Sequence, residues 1–355
     1  MSGSAPTVSV IIPTYNSAAL IAETLDSLVA QTFSDFEVIV VDDCSPDHTA
    51  AVVRAYGDPR IRFLRAPVNR GCVHARNLGF SLARGRYVAG LDHDDLCMPE
   101  RFARQVAFLD AHPEVMLVGT GSQLYENGTV RPHHRPMGMA SELIDWMMLT
   151  RNPLVWSSTM FRAEAVRRLD RFERTERHYV EDFDLYHRLR RFGRIAELAE
   201  PLTLYRIIPG SMSQRGEERM LRAAVRLLSE EHARLLGMVD KRDTELIVRH
   251  VMARHPVRDA QSLYRMFGLI ERLQAAFIAK RDLSGDMLEA VRSDTAQLWW
   301  RACRAAIRSG AVQLHQMRAI RAPAGNGPSH DLIVSAMIGR MRARRRPTDR
   351  TNADG

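Results

Sequence analysis

Asp92-His93-Asp94-Asp95 sets three carboxylates within four residues. Groups so close repel, and something must offset their charge. Hard oxygen ligands suit Mg²⁺ or Mn²⁺, often completed by the phosphate oxygens of a substrate. The same stretch also reads as a solvated acidic turn, with Asp95 capping a helix that starts at Pro99-Glu100. A second polar cluster, Asp42-Asp43-Cys44-Ser45-Pro46-Asp47, has the composition of a turn and helix cap. A third carboxylate pair, Glu181-Asp182, heads a run with Leu185, Leu189 and Phe192 at helical spacing. There, complementing a helix dipole would account for it. Pro209-Gly210-Ser211-Met212-Ser213-Gln214-Arg215 would either wrap a phosphate or serve as a linker.

These residues need elements to carry them. Thr7 to Ile12 is a continuous β-rich apolar run, suited to a buried parallel strand, and stops at Pro13-Thr14-Tyr15-Asn16. Leu20, Ile21, Thr24, Leu25 and Leu28 then mark a helix. Phe36–Val41, Ile61–Leu64 and Tyr87–Leu91 read as strands, with a helix from Gly71 to Arg84 closed by Gly85. A helix from Pro99 to about Ala111 and a strand at Val115–Gly119 follow. Asn127-Gly128 signals a tight hairpin. The run 131–139 reads as an irregular loop, Ser141–Leu149 as a helix, and Ser157–Phe161 and Leu198–Tyr205 as strands. Strand alternating with helix predicts a mostly parallel sheet, with ligands bound outside the carboxyl ends of its strands. Pro13–Asn16, Asp42–Asp47 and Asp92–Asp95 all fall at such ends. The first strand is not followed by G-x-G-x-x-G, which argues against a nicotinamide-dependent enzyme.

With 355 residues the chain suits one large domain or two, and a net charge of +8 favours anionic partners without choosing among them. Cys44, Cys72, Cys97 and Cys303 form no C-x-x-C pair, so neither a zinc site nor a disulfide framework is expected, and a reducing cytosol is the simplest setting. No apolar run approaches the roughly 18–20 residues of a membrane span, and no signal peptide is seen. Any membrane role is therefore peripheral. Beyond Gly216, segments near 217–236, 241–254, 258–281 and 284–308 carry helical apolar stripes, and Trp299-Trp300 reads as core or interface packing. Arg321 to Pro328 is a flexible break. A short apolar stripe (Leu332, Ile333, Met337, Ile338, Met341) follows with Arg340, Arg342 and Arg344–Arg346, which suits either an anionic lipid surface or a helix packed on the protein.

Taken together, Val8–Asn16, Val40–Asp47, Ala75-Arg76-Asn77-Leu78-Gly79, Leu91–Asp95 and Glu181-Asp182 resemble, in order and spacing, the family 2 glycosyltransferases. The resemblance covers roughly residues 7–215. It implies an α/β fold of GT-A type, a mostly parallel sheet flanked by helices, followed here by a mainly α-helical C-terminal region. The expected division is 1–215 for the transferase domain, 216–321 for the helices and 322–355 for linker, amphipathic segment and basic tail. The implied reaction is inverting transfer of a sugar from a nucleoside diphosphate sugar, with UDP the expected nucleotide, to an acceptor hydroxyl. The resemblance makes Asp182 the catalytic base, with Glu181 as its support or an acceptor ligand. Asp94 and Asp92 become the metal ligands for Mn²⁺ or Mg²⁺, Asp92 also standing near the ribose. Asp43 would read the base, Pro13 and Tyr15 would line its pocket, and Arg76 would position Asp43 or the diphosphate. Arg215 would lie near the diphosphate.

The expected partners are a nucleoside diphosphate sugar and a glycan or lipid-linked acceptor in surface glycan synthesis. The setting is the cytoplasm, at the inner face of the membrane if the basic tail binds anionic lipid. The helical region could pair subunits into a homo-oligomer or close over the site. A non-catalytic sugar-nucleotide-binding or scaffold protein is the alternative. Nucleic acid is not an expected partner, because no basic segment is interleaved with aromatics in the manner of a known module.

Overall fold

The computed structural model describes residues 5–132, 137–208, 210, 216–313, 315–316 and 335. It divides into two units, Met1–Asp145 with Pro153–Ala223, and Trp146–Asn152 with Ala224–Gly355.

In the first unit β1 (Val8–Thr14) and β2 (Phe36–Asp42) are buried along their whole lengths. Continuous apolar strands leave no face for water and so take central, parallel places. Between them α1 (Ile21–Val29) buries Ile21, Thr24, Leu25 and Leu28 on one face. Next come α2 (Thr49–Arg54), β3 (Ile61–Arg65), α3 (Cys72–Leu82) and β4 (Tyr87–Gly90). They are followed by β5 (Leu96–Cys97), α4 (Arg101–Ala111), β6 (Val115–Glu126), β7 (Thr129–Pro132) and α5 (Ser141–Met147). The unit continues with β8 (Met160–Arg162), α6 (Ala163–Arg167), α7 (Glu181–Leu189) and β9 (Arg194–Arg206).

Among the described residues one nine-stranded sheet runs β3-β2-β1-β4-β8-β6-β9-β5, with β7 paired to β6. Parallel pairing dominates by length, through β1–β2, β1–β4, β2–β3 and β6–β9. Strand order reverses between β1 and β4, the place in an open α/β sheet where ligands bind beyond the carboxyl ends. Because β4 and β6 are both antiparallel to β8, and β9 is parallel to β6, the ends of β1, β2, β4 and β9 share one edge of the sheet.

Local departures from the sequence reading have local causes. The expected strand at Ser157–Phe161 is a 3₁₀ turn, Trp156–Ser158, followed by β8. The Ser158 and Thr159 hydroxyls donate back to the carbonyls of Val155 and Trp156, so side chains compete with the ladder. Leu96-Cys97, ahead of the expected helix, forms a short strand paired with β9. The hairpin forms where expected, with Asn127 at φ 49° and Gly128 at φ 79°, as a tight primed turn requires. Residues 133–136 of the expected irregular loop lie outside the described residues.

In the second unit are the C-terminal part of α8 (Glu217–Leu236), α9 (Lys241–Ile247), a π-helical turn at Val248–Met252, α10 (Ala260–Ala279) and α11 (Gly285–Arg308). Asp240, Asp259 and Ser284 accept backbone N–H groups as N-caps. Residues 146–152, read from sequence with the first region, belong to this unit. Buried Trp146 donates its indole N–H to Asp294 at 3.0 Å and meets Phe277 edge to face, while Arg151 pairs with the same carboxylate. Trp299 and Trp300 pack edge to face. No helix of the described residues is long and apolar enough to cross a membrane. Nearly all of the basic tail lies outside them.

Glu37 of β2 is buried, which pushes its carboxyl up, but hydrogen bonds from Arg84, Arg62 and Ser9 outweigh burial and hold it at about 2. A depressed carboxylate stabilises the fold above its unfolded value of 4.5, and that contribution is lost as pH falls from there through 2. Glu37→Gln is expected to cost on the order of 2 kcal/mol at neutral pH, a figure discounted because both arginines are substantially exposed. It should also flatten the fall in Tm on acidification; an acid profile by calorimetry identical to wild type would refute this.

Candidate active site

Arg76, on α3, is the group around which the strand ends close. It is buried, with Nη2 donating to Asp92 Oδ1 at 2.8 Å and Nη1 to Glu173 Oε1 at 3.3 Å and Glu181 Oε1 at 3.4 Å. Its guanidinium carbon lies 4.4 Å from the centroid of the Trp156 ring. Burial alone would make it easier to deprotonate, but Glu173, Asp92 and Glu181 hold it more firmly charged than usual.

Each contact rests on a local fit. A Cβ on Gly79 would lie 2.6 Å from Ile11 Cγ2, so only glycine lets α3 sit this low on β1. A Cβ on Gly90 would lie 2.6 Å from Trp156 Cε2, and its absence admits the indole that stacks on Arg76. Asn77 grips the backbone of Glu173 twice, donating from Nδ2 to its carbonyl and accepting its N–H at Oδ1, both at 2.9 Å. That grip delivers the Glu173 carboxyl to Arg76. Burial, then the nearby carboxylates Glu181, Asp182 and Asp92, push this carboxyl far above the ordinary range, with Arg76 opposing.

At the end of β4, Asp92 N–H donates to Ser157 Oγ at 3.0 Å while its carboxylate faces Arg76. Asp94 is half-buried beside Asp92. Burial raises its carboxyl, with Asp92 adding to the effect and His93 opposing it. Asp95 does not cap a helix, because β5 follows it and α4 begins at Arg101 without a side-chain cap. Instead it is buried and accepts the backbone N–H of Arg206 at 2.8 Å. Burial and its neighbours Asp94 and Asp92 hold Asp95 well above the usual carboxylate range. Arg206 continues the tie, donating from Nε to the Asp94 carbonyl at 2.6 Å and from Nη2 to Glu23 Oε2 at 2.6 Å.

Asp43 accepts the backbone N–H groups of Arg70 (2.9 Å) and Gly71 (2.6 Å), which pins the loop into α3 to the end of β2. Of the two roles expected of Arg76, positioning Asp43 or the diphosphate, its side-chain hydrogen bonds among the described residues run to Asp92, Glu173 and Glu181 rather than to Asp43. Pro13 is buried within β1, and Tyr15 just beyond it is 47% exposed at the rim. Asp182 lies in the first turn of α7, half-buried, and its Oδ1 accepts the N–H of Phe183 at 2.7 Å. Tyr205 of β9 feels Asp95, Asp92, Asp94 and Asp182 together, which after burial are what raise its phenol. Arg215 lies outside the described residues.

The sequence reading missed Trp156, Glu173 and Arg206. Glu173 carries no motif of its own; the available signal was Asn77 beside Arg76, a polar pair inside a helix that must bury something. Arg206, at the end of the last strand, was one strand-end rule away from notice.

The chain matches the model for Glycosyl transferase family 2 over residues 9–170. It is 38% identical over 161 residues to the succinoglycan biosynthesis protein ExoO of Rhizobium meliloti (strain 1021), a match covering 45% of this chain and 44% of that protein. It is 33% identical over 189 residues to the putative glycosyltransferase EpsE of Bacillus subtilis (strain 168), covering 52% of this chain and 67% of that protein. The match thus spans less than half the length of ExoO and two thirds of EpsE. The structure of S. aureus TarS 1–349 in complex with UDP-GlcNAc shares the fold, with a TM-score of 0.55 and 22% identity over 95% of this chain and 91% of that one.

Removing the cation while its partners stay buried should be far worse than neutralising a carboxyl that already favours its protonated form. Arg76→Met is expected to cost about 3–5 kcal/mol, and Glu173→Gln about 1 kcal/mol or less. Urea denaturation of the two variants checks this, and equal losses would show that Arg76 is not the hub.

Proposed function

The chain belongs to the family 2 glycosyltransferases, and on that premise we propose that it transfers a sugar from a nucleoside diphosphate sugar to an acceptor hydroxyl with inversion, in polysaccharide biosynthesis. The observation that carries the reading is the span of Arg76, which joins Asp92 of the acidic turn to Glu181 beside Asp182. One site then holds both a leaving-group end and a proton-accepting end.

In this reading the Asp182 carboxylate takes the acceptor's proton as its oxygen attacks the anomeric carbon. The bond from that carbon to the diphosphate breaks on the opposite face, and the nucleoside diphosphate leaves with the electron pair. Asp182 suits the role because it is only half-buried at the head of α7, next in the chain to Glu181, whose carboxylate Arg76 holds. Asp43 is an acceptor-only group beside Pro13 and Tyr15, which suits a base presenting a ring N–H, as uracil does. Its two backbone donors fix its orientation and still leave it acceptor capacity.

Asp94 and Asp92 would hold a divalent cation, Mn²⁺ or Mg²⁺. The fit rests on the chemistry of the donor set: two hard carboxylates stand side by side, and burial together with Asp92 raises the Asp94 carboxyl, a repulsion that a divalent cation would relieve. Two protein carboxylates leave the remaining positions for phosphate oxygens and water. Such a cation stabilises charge developing on the diphosphate.

Asp182→Asn is expected to lower kcat by roughly 10²–10⁴-fold while keeping the thermal shift given by the donor. Asp94→Ala should abolish stimulation by Mn²⁺ or Mg²⁺. Transfer assays with a panel of nucleoside diphosphate sugars, with and without metal, read both. Full activity in Asp182→Asn removes the base assignment. Donor-induced stabilisation with no hydrolysis or transfer by wild type across the panel would favour the non-catalytic binding protein instead.

A further inference from the structure

Beside the proposed base lies a second set of ligand groups that take no part in the proposed proton transfer. Cys72 opens α3, Glu181 opens α7, and His178 stands three residues before Glu181. Cys72 Sγ is 3.4 Å from Glu181 Oε1, and His178 Nδ1 is 4.0 Å from Glu181 Oε2. Ligand atoms of the three residues all lie within 4.8 Å of one another. Glu181 Oε2 is buried and accepts no hydrogen bond, an orphan of the kind that calls for a partner.

We propose that Cys72, His178 and Glu181 form a site for a thiophilic divalent cation of the zinc class, separate from the hard-ligand pair Asp92 and Asp94. One sulfur, one imidazole nitrogen and one carboxylate oxygen make up a three-ligand set with a fourth position left for water. Thiolate and imidazole select zinc over Mg²⁺ and Mn²⁺. Sub-ångström side-chain shifts would bring the three atoms to the spacing set by metal bonds of about 2.0–2.3 Å. The His178 side chain is 38% exposed, which provides a way in. Arg76 opposes a cation, but it faces Oε1 of Glu181, and the orphan Oε2 lies toward His178. Against that one positive charge stand the carboxylates of Asp92 and Glu181. Burial keeps the Cys72 thiol protonated, so binding breaks the S–H bond, forms a sulfur–metal bond and releases the proton to solvent.

An occupied site would draw Glu181 from Arg76 and place a cation next to Asp182, shutting the transfer reaction. That consequence rests on the reading of Asp182 as base; the binding does not.

Co²⁺ titration of the full-length protein tests the site. Wild type and Cys44→Ser should develop a near-ultraviolet thiolate-to-cobalt band that Zn²⁺ bleaches. Cys72→Ser should show none, and His178→Gln should bind more weakly by more than the roughly tenfold that loss of an outer partner costs. No band in wild type, or a band that survives in Cys72→Ser, overturns the site. In parallel, Zn²⁺ should inhibit sugar transfer by wild type and not by Cys72→Ser. Transfer by wild type that ignores Zn²⁺ while the band is present overturns the inhibitory role. If no protein transfers sugar, the function reading fails and the cobalt result still decides the site.

Discussion

A single buried guanidinium holds the candidate site together. Arg76 meets Asp92, Glu173 and Glu181 with two nitrogens and lays its plane on Trp156. Three carboxylates in a low-dielectric interior would otherwise repel one another and the site would open. Lysine could not replace it, since one ammonium cannot offer a planar fork to separate acceptors and an aromatic face at once. The charge balance still falls short. Glu173 resolves the excess by favouring its neutral form, which burial and the surrounding carboxylates impose.

Arg76 reaches its partners only because the backbone around it packs unusually close. Gly79 sets α3 down on Ile11, and Gly90 gives its Cβ space to the Trp156 ring. Neither glycine sits at a positive φ; both are demanded by proximity. Asn77 then copies a strand-like pair of hydrogen bonds onto the backbone of Glu173, a residue 96 positions away. Helix packing, ring stacking and an amide clamp thus converge on one side chain.

The acidic turn is held from its other side by the end of β9. Asp95 takes the backbone N–H of Arg206, and the Arg206 side chain returns to the Asp94 carbonyl. Asp95 is thereby committed to the protein, Asp92 is oriented by Arg76, and Asp94 stands half-buried beside it. Three like residues in one short stretch acquire three different tasks because each meets a different neighbour.

The α/β class was legible from the chain itself. Buried strands are written as unbroken runs such as Val8–Ile12 and Phe36–Val41, and polar clusters at their ends mark the edge where ligands bind. The helical spans at 217–236 and 284–308 were equally plain, since apolar periodicity is a local property. The sequence could not assign partners to those groups. Glu173 looks like any acidic residue, Asp95 looks like a helix cap, and Arg76 could have turned toward Asp43. The segment 146–152 gave no sign that Trp146 would find Asp294 in the helical unit. Cys72 and His178 meet Glu181 across a separation that no C-x-x-C search covers. Periodicity fixes which face of an element is buried; which charge lies opposite is settled by chain segments far away, and only the folded structure brings them within a hydrogen bond's length.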